Sequence, residues 1–145
     1  MAVLAAAWLL LLITAPFLTT PAAGVLYAAG ALICHQLPDR SFHVQGIQLP
    51  VCARCFGLYG GAAVGSAVGV AGFARRWLAG RPLLWRQSTK WAATGVAAIP
   101  TLATFALEWG FGWPFSNAVR AIAALPLGFA VALVVVSALA TVHYE

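Results

Sequence analysis

A chain of 145 residues is long enough for one domain, but 63% hydrophobic and 8% charged residues, at a mean hydropathy of +0.93, exclude an ordinary water-soluble fold. Eight basic and three acidic side chains cannot solvate such a surface. The net charge of +5 does not describe a nucleic-acid-binding face either. Five of the eight basic residues, Arg75, Arg76, Arg81, Arg86 and Lys90, fall in one short connection between apolar stretches, which is how a membrane topology signal is written.

The composition and the apolar stretches predict an all-α membrane protein of about four transmembrane helices, near residues 2–18, 54–74, 91–108 and 118–142, in a hydrocarbon core about 30 Å thick. The first run lacks the basic leader of a secretory signal, so it reads as a retained span. It ends at Pro16 and the Thr19-Thr20-Pro21 break. Residues 22–33 are apolar but too short to cross alone, and are expected as an interfacial or packed short helix. Residues 34–53 form the longest polar stretch, in which Phe42, Val44, Ile47 and Leu49 alternate around Gln45-Gly46. That pattern predicts a small β-hairpin, which folds the loop back and brings its two ends together.

The second span carries Gly57, Gly61, Gly65 and Gly69 at four-residue spacing. Small residues on one helix face let two backbones approach in lipid, so this helix is expected at the centre of the bundle, with the ladder also open to homo-oligomer contacts. The basic loop, residues 75–90, is expected in the cytoplasm. Both termini then face the cytoplasm, and the 34–53 loop lies outside with residues 109–117. Trp109, Trp113 and Phe115 read as an outer aromatic belt. Arg40, Arg54 and Arg120 are opposed there by Asp39 and Glu108. Glu108 and Arg120 form a candidate ion pair, since Arg120 follows a Ser116-Asn117 cap and its cation opposes the helix dipole unless an acid is near.

The chemistry concentrates in three cysteines. Cys52-Ala53-Arg54-Cys55 places a C-x-x-C pair at the start of the second span after Pro50, where unpaired backbone N–H groups, the helix dipole and the Arg54 cation stabilise thiolates. An odd cysteine count excludes complete internal disulfide pairing. Cys34, His35, Cys52 and Cys55 together make a tetrahedral metal-ligand set, zinc favoured over another transition metal. Consecutive side chains diverge, which makes His43 an alternative to His35. Two readings compete with the metal. One is a membrane thiol-disulfide oxidoreductase that passes electrons from the cysteine pair to a quinone or a partner protein. The other is a structural disulfide without cofactor.

With these residues assembled, the chain resembles the DUF2085 family of predicted bacterial membrane proteins, through Cys34-His35-Gln36, Arg40-Ser41-Phe42, Gly46 and the run from Pro50 through Cys52, Arg54 and Cys55 to Phe56-Gly57-Leu58-Tyr59. Weaker similarity continues through Ser116-Asn117, Arg120 and Gly128, and Glu108 stands where an aspartate is expected. The resemblance implies a multi-helix membrane fold with a Cys/His motif in a bacterial cytoplasmic membrane. It favours His35 over His43 and supplies no activity. A membrane metal site, a thiol oxidoreductase and an accessory subunit of a larger membrane complex are the three functions the sequence leaves open.

Overall fold

The computed structural model describes residues 2–78 and 87–142. Among the described residues there are five α-helices, α1 (Ala2–Thr14), α2 (Thr20–Ala31), α3 (Ala53–Leu78), α4 (Gln87–Phe111) and α5 (Asn117–Val142), and one hairpin of β1 (Ser41–Val44) and β2 (Ile47–Cys52). Helix α3 packs on α5 and on α1, and α4 packs on α5.

The glycine ladder explains the closest of these contacts. A Cβ built on Gly65 would lie 2.5 Å from the Phe129 carbonyl oxygen, and Gly57 and Gly61 face the backbone of Ala121 and Leu125 still more tightly. Gly69 meets Val136, and Gly128 returns the contact by lying against Leu58. The four-residue period therefore serves a partner inside the chain: α5 occupies the face that the spacing left open to a second copy.

Two helices among the described residues are long and apolar enough to cross a membrane, Ala53–Gly72 at a mean hydropathy of 1.4 and Asn117–Leu139 at 2.5. The expectation of about four spans is met in part, by these two. The first apolar run breaks early: α1 has 13 residues, about 20 Å of helix, before Pro16 turns the chain through the 3-10 segment Ala15–Phe17. Helix α4 has the length but is diluted by threonines and Glu108, and it carries Pro100 within it. The apolar surface points outward all the same. Val3, Leu4 and Leu10 of α1, and Val96, Ile99 and Leu102 of α4, are each about 60–80% exposed, the arrangement of helices whose solvent is hydrocarbon.

The hairpin forms where the alternation predicts it. Val44 pairs with Ile47 and His43 with Gln48, and the two turn residues both adopt positive φ, 52° at Gln45 and 81° at Gly46, as a two-residue turn matched to strand twist requires. The register slips between Ser41 and His43, across the stretch of β2 that contains Pro50, which has no amide to donate. At the far side of α4, Gly112 takes φ 65° and the Trp113 amide donates to the Leu107 carbonyl, a left-handed stop that turns the chain into α5. The Ser116 hydroxyl accepts from the Val119 amide and caps α5.

Of the basic connection, residues 79–86, with Arg81, Arg86 and Trp85, lie outside the described residues. Helices α3 and α4 extend into its two ends, so Arg75 and Lys90 are helical. Arg75 sits about 30 Å along α3 from Arg54 at 1.5 Å per residue, so this connection and the polar hairpin are at opposite ends of the molecule.

Candidate metal centre

The sulfurs of Cys34, Cys52 and Cys55 all lie within 4.8 Å of one another, and none is in a disulfide. Three separate local structures bring them there. Cys34 follows α2, its amide bonded to the Gly30 carbonyl. Cys52 is the last residue of β2 rather than the first of the helix, and Cys55 stands in the first turn of α3. The C-x-x-C pair, expected at the start of the second span, is thus split across a strand-to-helix junction, with Cys55 alone on the helix.

Convergence depends on a polar clip between α2 and the hairpin. Gln36 takes φ 48°, and its side-chain amide donates to the Tyr27 carbonyl and the Pro50 carbonyl, both at 2.7 Å. Gln48 reaches back to the Gln36 carbonyl at 2.6 Å, and the Tyr27 hydroxyl donates to the Gln48 carbonyl. Gly30 leaves room for this: a Cβ there would sit 2.6 Å from the Gln36 amide nitrogen. Of these five residues the sequence singled out Gln36 and Pro50, as parts of a motif, and gave neither a role in the clip. The available signal was a glutamine a few residues after an apolar helix, where an amide must find backbone partners.

Cys34 is 7% exposed, and fully buried Leu12 and Val51 pack with it. Trp8, Phe56 and Tyr59 complete an apolar cover, with the Trp8 and Tyr59 rings edge to face at 6.2 Å. The Cys34 sulfur accepts from the backbone N–H of Cys52 at 3.1 Å and more weakly from that of Gln36 at 3.5 Å. Cys52 receives hydrogen bonds from the Cys55 thiol, the Cys55 and Arg54 amides and the Cys34 thiol. These outweigh its burial and pull its pKa down from 9.0 to about 5. A half-buried thiolate held by a neighbouring thiol and by backbone N–H donors is a soft-metal ligand and a nucleophile.

His35 is exposed and does not belong to this group of three. With Cys34 turned inward, its neighbour diverges. His43 is exposed on β1 and is likewise not in the group.

Arg54, expected to support the thiolates, is instead committed to Glu108. Arg120 bonds the same carboxylate through Nε at 2.6 Å, so one acid on α4 ties α3 to α5. Glu108 is 4% exposed, against 15% and 11% for the two arginine side chains. The Arg54 guanidinium also lies 5.4 Å from the centre of the Phe105 ring. Arg120 reaches the Asn117 side-chain oxygen at 2.7 Å and the Asp39 carbonyl at 3.3 Å, while the Asn117 amide donates to the Ser41 carbonyl at 2.9 Å. The expected ion pair is a three-member clamp that also holds the hairpin. Trp109 and Trp113, at the same end, are 70% and 61% exposed.

A family model described as a predicted membrane protein, DUF2085, matches residues 34–134, the segment that contains all three sulfurs and the clamp. An uncharacterized protein of Methanocaldococcus jannaschii is 56% identical over 43 residues, 30% of this chain and 28% of the relative. An uncharacterized protein of Methanothermobacter thermautotrophicus is 53% identical over 30 residues, 21% of this chain and 27% of the relative. The match spans little more than a quarter of either curated relative. Both relatives are archaeal, and they give no support to a bacterial origin of the family. No solved structure matches the chain.

Proposed function

The chain belongs to the DUF2085 family of predicted membrane proteins, and we propose that it carries a three-thiolate transition-metal centre at one membrane face. The observation that carries this reading is the mutual approach of the Cys34, Cys52 and Cys55 sulfurs to within 4.8 Å under an apolar cover. Three sulfurs from three local structures make one ligand set, with zinc favoured and copper or iron as the other ions such donors accept. The fourth position of a tetrahedral ion falls to a turned-in His35 or to a small exogenous ligand. The centre's function is metal handling or the scaffolding of this end of the bundle.

The supporting topology is multi-pass, in a cytoplasmic membrane. The thiol end faces outward, and the basic connection and both termini face the cytoplasm, by the excess of arginine and lysine at that end. The exposed tryptophans beside the clamp suit an outer interfacial belt. The lipid bilayer is the partner this architecture requires.

Elemental analysis of the purified protein, paired with thiol counting, tests the centre. One metal per chain with three protected thiols is the expected result. A metal-free protein with a reducible Cys52–Cys55 bond would replace it with the second reading, favoured by the depressed Cys52 thiol. In that reading the Cys52/Cys55 dithiol is oxidised to a disulfide, and its two electrons and two protons pass to a quinone or to the disulfide of a partner protein. A metal-free, inert chain that co-purifies stoichiometrically with other membrane proteins would leave the accessory-subunit reading.

A further inference from the structure

At the end opposite the sulfurs, a cavity of about 260 Å³ lies between α4 and α5. Its walls are apolar and stepped at helical spacing: Ala93 and Ala97 on one side, Pro126, Ala130 and Leu133 on the other. The alanines leave the gap that larger side chains would fill. Two features separate it from a packing defect. Lys90 lines it while only 8% exposed, and no acid or other acceptor pairs with the Lys90 side chain among the described residues. The one hydroxyl on the wall, that of Thr94, is already spent on the Lys90 carbonyl at 3.0 Å.

Long cationic side chains near a helix end normally reach for the headgroup layer, where anionic groups can meet them. Here most of the Lys90 side chain is covered by the two helices, next to a channel of hydrocarbon character about 10 Å long, from Lys90 to Ala97 at 1.5 Å per residue. One cation at the end of an apolar slot is complementary to a molecule with one anionic head and an alkyl chain. Basic pockets between helices at the cytoplasmic side select acidic lipid headgroups for this reason.

We propose that the α4–α5 groove is a binding site for one anionic phospholipid, its phosphate on Lys90 and part of an acyl chain along Ala93, Ala97, Ala130 and Leu133. The site is distinct from the thiol centre and does not depend on it. It adds a lipid partner at the basic end of the bundle, where Arg75 is also available, exposed on α3.

Native mass spectrometry of the full chain in detergent, titrated with phosphatidylglycerol or with phosphatidylcholine of the same acyl chains, tests the assignment. One equivalent of phosphatidylglycerol should be retained about tenfold more tightly than phosphatidylcholine. Lys90→Gln should reduce that preference to twofold or less, and Ala97→Phe, which fills the slot, should abolish retention of both lipids. Helical content and the unfolding midpoint in the same detergent establish that each variant is folded. For Ala97→Phe, a second filling variant, Ala130→Leu, replaces it if folding fails. Equal retention of the two lipids by the unaltered chain would overturn the proposal, as would a preference that survives Lys90→Gln. A dimer that separates on Ala97→Phe would assign the groove to a second copy and overturn it also.

Discussion

Replacing Glu108 by Gln is the sharpest test of how this bundle is held. The carboxylate is 4% exposed and is shared by Arg54 of α3 and Arg120 of α5, so the substitution removes two ion pairs and leaves two guanidinium groups, both mostly buried, facing each other. Breaking a buried pair by deleting one partner costs about 3–5 kcal/mol, because the stranded charge has lost its water without compensation. With two stranded charges of the same sign the upper part of that range is expected, a fall of about 10³-fold or more in the folded-to-unfolded ratio. Arg120→Met should cost less, since Arg54 and Glu108 remain paired and the clamp's net charge falls from +1 to zero. Reversible unfolding in mixed micelles, followed by helical signal, measures both. A Glu108→Gln variant within about 1 kcal/mol of the parent would refute the buried clamp, for then the arginines are solvated at the membrane surface. An Arg120→Met variant that costs as much as Glu108→Gln would refute it equally.

Four other outcomes follow from the geometry. Single Cys34→Ser, Cys52→Ser and Cys55→Ser variants should each lose bound metal about as completely as the triple variant, measured by elemental analysis, because a shared ligand set is non-additive; metal retention in Cys34→Ser would break the set. In the metal-free protein, Cys52 with its pKa lowered to about 5 should react with iodoacetamide at a rate that is level from pH 8 to 6 and falls through pH 5. Any stability it lends is complete above the ordinary thiol value and lost as pH drops through 5; a rate that already halves above pH 8 would contradict the hydrogen bonds drawn here. Gly61→Leu and Gly65→Leu should separate α3 from α5 and lower abundance, read by protease resistance in membranes, whereas Gly24→Ala, with nothing within 4 Å, should be silent. Reporter fusions should place residue 82 in the cytoplasm and residue 45 outside.

The clamp and the thiol site share a residue run, Cys52 to Cys55, and this links chemistry to architecture. Arg54 sits between the two sulfur-bearing positions and points its charge away from them to Glu108. The α3 turn that presents Cys55 is therefore anchored to α4, and through Arg120 to α5 and the Asp39 backbone.

The sequence alone determined the membrane class, the hairpin and the partnership of the three cysteines, because each rests on local rules. Hydropathy follows from composition, the Gln45-Gly46 turn from φ preferences, and the sulfur set from an odd count at the two ends of one hairpin. It also marked the glycine face, since a four-residue period is a property of one helix. Tertiary structure alone decided what met each of these. The ladder received α5 instead of a second copy, Arg54 went to Glu108 instead of the thiolates, and the first apolar run stopped at 13 residues. Gln36 gained its role from backbone carbonyls of Tyr27 and Pro50, one in α2 and one in β2, whose proximity no local pattern encodes. Lys90 read as one of five equivalent topology charges until packing enclosed it between α4 and α5. The physical reason is common to all of these: a side chain's partner is chosen by which elements pack together, and in lipid, where no water can substitute, an unmet polar group accepts whichever donor or acceptor the packing supplies.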